Sequence, residues 1–177
     1  AEMVETLLDL ERIKLRDFRK VSALVELSSL VQERTALLES GGGSEIRFSG
    51  EPGAVVRGDA SLLVRVVDNL VGNALKFAPG EAVDVTVDQA GGESVCLAVR
   101  DRGPGIPPAE RAEIFRRFAR GGSAATVPGL GLGLALVAEI TRWHGGRVYV
   151  EAPDSGGSLF RVTLPAATAG ADPRRRT

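Results

Sequence analysis

Asn69, Asn73 and Lys76 lie four and three residues apart in the stretch LLVRVVDNLVGNALKF, residues 62–77. At 3.6 residues per turn they form one polar stripe with Arg65, while Leu63, Val66, Val67, Leu70, Val71 and Ala74 fill a broad apolar arc opposite. Asparagine is a poor residue for a helix interior, because its amide competes for backbone hydrogen bonds. A merely solvated face would carry Glu, Lys and Arg instead. Amide oxygens suit a hard cation such as Mg2+, which keeps several waters and takes few protein ligands beside substrate phosphates. A nearby ammonium adds positive charge for the same phosphates. On the stripe alone, a metal site and a chance polar face stand as equal readings.

Two glycine-rich stretches downstream offer complementary chemistry. Asp101 follows an apolar run and opens Asp101-Arg102-Gly103-Pro104-Gly105. A carboxylate at the end of a buried strand needs partners, since desolvating it alone is costly. An ionised Asp only accepts hydrogen bonds; it can hold the exocyclic amine of adenine and would repel the carbonyl of guanine. A plain Asp-Gly turn is the bland alternative. Gly129, Gly131 and Gly133 alternate with leucines where a helix begins, although glycine costs about 1 kcal/mol against Ala inside a helix. Free amides at such a helix start make an anion site, with close helix packing as the competing reason. No strand precedes these glycines and no Lys-Ser/Thr follows, so neither the dinucleotide fingerprint nor a P-loop is present. Between the stretches lie Phe115 and Phe118, an apolar latch, with Arg116, Arg117 and Arg120; Arg120 stands where it could reach a terminal phosphate. Residues 121–128 have the composition of a lid.

These residues must be positioned by a regular scaffold. The pattern predicts an amphipathic helix in residues 1–16, whose apolar side needs either an absent partner or the domain itself. A short extended segment follows over 17–21, then a helix from an Ser22 cap to about Glu39 with Leu24, Leu27, Val31, Leu37 and Leu38 inside. Strands are expected at Ile46–Phe48 and Val55–Val56, and Asp59 is expected to cap the 62–77 helix. Val83, Val85 and Val87 alternate with polar residues as a half-exposed strand, whereas Val95–Val99 is an unbroken apolar run and so a central one. Gly91-Gly92 joins them. A short helix over 108–115, a helix over 131–143 and a hairpin of 147–151 with 159–164 complete the reading. The sum is an α+β chain, a two-layer sandwich of a mostly antiparallel sheet with helices on one face.

Composition narrows the class. The chain has 177 residues, 44% of them apolar, and a net charge of −1, with no basic block interleaved with aromatics, so nucleic acid is not implied. One cysteine, Cys96, leaves no partner for an internal disulfide and fits a strand in a reducing compartment. No apolar run reaches the roughly 18 residues of a spanning helix. Arg174–Arg176 reads as a solvated tail.

NLVGNALKF at 69–77, DRGPGIP at 101–107, IFRRF at 114–118 and GLGLGL at 129–134, in this order, resemble the ATP-binding catalytic domain of sensor histidine kinases, in the superfamily that includes gyrase, the Hsp90 chaperones and MutL. The resemblance covers roughly residues 18–165. It implies the Bergerat-type ATP-binding fold, with a mixed, mostly antiparallel sheet, and ATP and Mg2+ as ligands. It assigns Asn73 to Mg2+, Asn69 to the neighbouring metal and phosphate region, Lys76 to phosphate and Asp101 to the adenine amine. Gly129, Gly131 and Gly133 fall to phosphate binding and lid hinging. Phe77, Gly103, Gly105, Ile106, Leu130, Leu132 and Leu134 complete the nucleotide site, and Asn69, Lys76 and Arg120 are the candidate catalytic residues. Phe77 stands where many members have Tyr, and Leu130 where Thr or Ser is frequent. The superfamily's hydrolases carry a Glu base where this chain has Asn69, which favours phosphoryl transfer over hydrolysis.

By the same resemblance, residues 1–16 are the end of a dimerisation helix, 17–166 the catalytic domain and 167–177 a disordered tail. The expected partners are a histidine-bearing dimerisation domain, from a segment upstream of this one, and a response regulator. The segment itself is expected to be monomeric and cytoplasmic, its parent membrane-anchored. His144, the only histidine, reads as a helix C-cap rather than an acceptor. A nucleotide-binding interaction module without kinase activity is the alternative from another class. A serine kinase of the anti-sigma type is a third reading, one that lacks a helix resembling residues 1–16.

Overall fold

Valines at every second position build the sheet, because β-branched side chains suit a pleated, half-buried surface. A computed structural model describes Glu11, Ile13 and residues 22–41, 43–119 and 131–167. In chain order its elements are β1 (Ala23–Glu26), α1 (Leu27–Ser40), β2 (Ile46–Gly50), β3 (Val55–Gly58), α2 (Ala60–Phe77), β4 (Val83–Ala90) and β5 (Ser94–Arg100). A 3-10 turn (Glu113–Phe115), α3 (Gly133–Trp143), β6 (Arg147–Glu151) and β7 (Leu159–Pro165) follow. Five strands form one sheet in the order β2-β4-β5-β7-β6, while β1 and β3 pair separately. β2 runs parallel to β4 and every other neighbour is antiparallel. β5, the unbroken apolar run, is the central strand as expected.

The core lies between this sheet and the helices. Val83, Val85, Val87, Val95 and Val99 turn one side of their strands inward, and Phe160, Val162 and Leu164 continue the layer. Asp84, Thr86, Arg100 and Arg161 on the other side stay partly exposed. Against the inner side packs α2, with Leu62, Leu63, Val66, Val67, Leu70, Val71 and Ala74 buried. Each branched side chain in that arc stabilises the fold by about 1.5–3 kcal/mol. The Asp59 carboxylate caps α2 by accepting from the Ser61 and Leu62 amides, as the sequence indicated. A two-pronged ion pair ties α2 to α1: Arg34 Nε reaches Asp68 Oδ1 at 2.5 Å and Nη2 reaches Oδ2 at 2.9 Å.

Between Ser22 and Ser40 the structure departs from expectation, whereas the strand expected at Ile46–Phe48 is present. Ser22 caps nothing; Ala23–Glu26 form a strand paired with β3, and the helix starts at Leu27 with Glu26 as its cap, accepting from the Ser29 amide. That start sets the helical phase so that Leu27, Val31 and Thr35 face inward and Leu37 faces out, 62% exposed. Leu24, expected inside, is 59% exposed, because the β1–β3 ribbon turns Val25 rather than Leu24 inward. Thr35 takes a core place by donating its hydroxyl to the Val31 carbonyl at 2.9 Å. The helix expected over 108–115 is reduced to turns and the three-residue 3-10 turn, which breaks at Arg116 in extended conformation. In residues 1–16, Ile13 is 1% exposed and joins the domain's own hydrophobic cluster. Residues 168–177 lie outside the described residues.

His144 closes the far end of the molecule. It is the C-cap of α3 and only 4% exposed. The Asp59 backbone N–H donates to Nε2 at 3.1 Å, so Nδ1 carries the proton and donates to the Ile140 carbonyl at 2.8 Å. A Cβ on Gly58 would lie 2.6 Å from this ring, so only glycine permits the approach. Burial pushes the imidazole below its ordinary pKa; the Ile140 carbonyl and the Asp59 charge oppose this more weakly. The unfolded chain therefore binds more protons than the folded one as pH falls. This contribution is complete above 6.5, the ordinary histidine value, and is lost as pH drops below it toward the lowered folded value. Melting temperatures measured between pH 7 and pH 5 are expected to fall more steeply for the wild type than for His144→Gln. Parallel slopes would contradict the assignment.

Candidate functional site

The end of β5 delivers Asp101 into a cage of backbone amides. The carboxylate is 4% exposed, and its Oδ1 accepts from Gly103 N–H at 2.8 Å and Ser158 N–H at 3.1 Å. The Asp101 amide itself donates to the Ser158 carbonyl at 2.9 Å. Oδ2 receives no hydrogen bond from any described residue and remains an acceptor for a ligand. Three backbones crowd together here. A Cβ on Gly103 would come within 2.9 Å of the Phe77 carbonyl, and one on Gly157 within 2.0 Å of the Asp101 carbonyl. Gly105, at φ 75°, faces the Gly157 carbonyl. Ile106 is half-buried, and its carbonyl accepts from Arg111 Nε at 3.0 Å, which ties the loop after Asp101 to the turn before the 3-10 element. Phe77, Asp101, Gly103, Gly105 and Ile106 thus lie together at the end of β5.

On the polar stripe of α2, Asn69 donates Nδ2 to the Arg65 carbonyl at 2.7 Å, which turns its Oδ1 toward the start of α3. A Cβ on Gly133 would lie 2.4 Å from that oxygen, so the first residue of α3 and Asn69 meet directly. No side chain caps the N-terminus of α3; its leading amides are donors of the kind that hold anions. Leu132 is buried and Leu134 packs against the core, so both anchor this start rather than face outward. Gly131, at φ 68°, accepts from the Phe118 amide at 2.9 Å. One turn along α2, Asn73 is half-buried, and its side-chain amide makes no hydrogen bond to any described residue. Lys76 is exposed, its ammonium 5.7 Å from the centre of the Phe77 ring. Arg120, Gly129 and Leu130 lie outside the described residues, as does the expected lid. The remaining predicted residues fall at the two ends of the same α2–β5–α3 corner.

Among the described residues no group of three His, Cys, Asp or Glu side chains could hold a metal ion. The Asn73 amide is unengaged and Asn69 presents an oriented oxygen, a donor set that fits a Mg2+ ion taking one or two protein oxygens with the rest from water and phosphate.

The sequence profile of the family described as "Histidine kinase-, DNA gyrase B-, and HSP90-like ATPase" matches residues 58–168, more than half of the chain. The chain belongs to this family. It is 40% identical over 171 residues to the "Sensor protein KdpD" of Escherichia coli, covering 94% of this chain and 19% of that protein. The structure of "Mycobacterial sensor histidine kinase MprB" is 33% identical, with a TM-score of 0.73 over 82% of this chain and 98% of that one. Full-length ShkA, crystallised in complex with AMPPNP, is 30% identical, with a TM-score of 0.80 over 96% of this chain and 36% of that one. The chain spans about a fifth to a quarter of the length of the curated relatives it matches, at 19%, 26% and 22% of the first three. What it shares with these sensor kinases is their ATP-binding catalytic domain.

In this domain, sequence reasoning missed the clamp on Asp101. Residues 153–157 read as a simple hairpin turn, yet the Ser158 amide just after them is one of the two that hold Oδ1. The one trace in the sequence is the doubled glycine, since Gly156 and Gly157 both hold left-handed backbone, at φ 83° and 80°. Gly156→Ala, whose Cβ meets nothing, is expected to cost about 1–2 kcal/mol from the left-handed backbone alone. Gly157→Ala adds the collision with Asp101 and is expected to cost at least about 1 kcal/mol more. Urea unfolding of the two variants measures the difference; equal losses would remove Gly157 from the clamp.

Proposed function

We propose that this domain binds Mg2+-ATP across the α2–β5–α3 corner and donates the γ-phosphoryl group to a histidine on a dimerisation domain, which passes it to a response-regulator aspartate. The observation that carries the reading is the state of Asp101: buried, with Oδ1 saturated by amides and Oδ2 left to accept. An acceptor fixed in this way suits the adenine amine. The AMPPNP complex of ShkA supports nucleotide binding in a relative of the same fold.

Each residue then has a distinct task. Asp101 selects the base, and Gly103 and Gly105 keep its rim free of side chains. The α3 amides, Lys76 and, outside the described residues, Arg120, Gly129 and Leu130 are the groups proposed to neutralise phosphate charge. Asn73 is the proposed Mg2+ ligand, with Asn69 beside it. A bound Mg2+ would supply charge compensation on the β- and γ-phosphates. Asn69 has no proton-accepting capacity, so it orders the site without activating water. The transfer breaks the bond from the γ-phosphorus to the bridging oxygen of ADP and forms one to the unprotonated nitrogen of a neutral imidazole, while the proton on the other ring nitrogen leaves to solvent. Its acceptor, the regulator, a membrane-anchored parent and a monomeric state for this segment are all part of the proposal.

Calorimetric titration with a non-hydrolysable ATP analogue separates the two ends of the site. Asp101→Ala is expected to weaken binding by about 100-fold or more, by leaving two oriented amides and the adenine amine without an acceptor. Asn73→Ala is expected to keep Mg2+-free affinity within about threefold of wild type and to lose the gain that Mg2+ confers. The reverse pattern would overturn the division of labour. Phosphohistidine formation, measured after restoring an upstream acceptor helix, tests the transfer; ATP binding without any phosphohistidine would refute it.

A further inference from the structure

Arg117 of the IFRRF segment reaches away from the nucleotide corner to Glu11, with Nη1 3.1 Å from Oε1. Two residues beyond Glu11, Ile13 is sealed within the hydrophobic cluster of the domain. Both residues are helical. The two described residues of this stretch thus make different contacts with the catalytic domain, Ile13 apolar and buried, Glu11 ionic and open to solvent.

Arg117 precedes Phe118, which holds a left-handed backbone at φ 62° and is 60% exposed. That conformation is strained for an aromatic residue and persists only where the surroundings hold it. Two contacts flank it. On one side the Phe118 amide donates to the Gly131 carbonyl at 2.9 Å. On the other, the Arg117 side chain is held by Glu11. Gly131 is fitted closely beneath this loop, since a Cβ there would come within 2.4 Å of the Ala119 carbonyl. Two residues later Gly133 begins α3 and abuts Asn69.

We propose that the segment carrying Glu11 and Ile13 docks on this surface as a brace, which sets the position of the α3 N-terminus and thereby tunes nucleotide affinity. The effect on affinity rests on the nucleotide reading above; the brace itself does not. Ile13 supplies adhesion, which is strong but without direction. The Glu11–Arg117 pair supplies register. Loosening it lets the Phe118 turn relax and leaves the α3 amides less preorganised for an anion, so binding weakens. Because both partners are largely exposed, the expected effect is a few-fold rather than orders of magnitude.

The test uses the full chain as wild type, Glu11→Arg, Arg117→Glu and the double reversal, with two readouts: affinity for a non-hydrolysable ATP analogue, and hydrogen exchange at the Phe118 amide. Each single reversal is expected to weaken binding by about two- to fivefold and to speed exchange at Phe118. The double reversal is expected to restore both. Unchanged single variants, or losses that add in the double variant, would overturn the brace. If the wild type fails to bind the analogue, the nucleotide reading falls, and exchange at Phe118 alone decides the brace: recovery in the double reversal supports it and no recovery overturns it.

Discussion

An ionised carboxylate almost closed off from water needs compensating donors, and the donors around Asp101 all come from backbone. Gly103 follows it in the chain, while Ser158 arrives from the β6–β7 hairpin more than fifty residues away. Satisfying one oxygen this way requires the hairpin to lie directly on the end of β5, and that contact tolerates no side chain at position 157. The rest of the corner inherits this constraint. Gly103 presses on the last carbonyl of α2, so the helix that carries both asparagines is indexed to the same carboxylate.

At the opposite end of the stripe a second close approach fixes the helices to each other. Asn69, turned by the Arg65 carbonyl, abuts Gly133 at the start of α3. The far ends of the same two helices meet through His144, whose ring joins the α3 C-terminus to the Asp59 amide that begins α2. Both junctions sit against glycines, Gly133 and Gly58, where an added Cβ would fall 2.4 Å from Asn69 Oδ1 and 2.6 Å from the His144 ring and so displace those side chains. Under the proposed reading, the asparagine at position 69 orders the phosphate end of this frame without itself deprotonating water.

Much of this was legible because it is written in local periodicity. The α2 stripe, the Asp59 cap, the alternation of β4 and the unbroken apolar run of β5 each follow from residue spacing within one element. Asp101 was legible because a charged residue directly after a buried strand demands an explanation. The clamp from Ser158 was not, since it depends on which distant hairpin folds over which strand end. Nor was β1: Ala23–Glu26 become a strand by pairing with Val55–Gly58, and that tertiary pairing shifts the start of α1 and carries Leu24 and Leu37 to the surface. Thr35 escaped a reading based on apolar residues because its hydroxyl is satisfied within its own helix. The apolar side of residues 1–16 fitted either an absent partner or the domain itself, and of it the structure describes Ile13 alone, packed in the domain's core.

The central claim is that the free oxygen of Asp101 reads an amino group. Calorimetric titration of the wild-type chain with paired non-hydrolysable analogues of ATP and GTP tests it most directly, because the two differ at the atom that would face Oδ2. The account predicts binding of the adenine analogue and at least about 100-fold weaker binding of the guanine one, whose carbonyl would confront a buried carboxylate. Equal affinity for the two would contradict it.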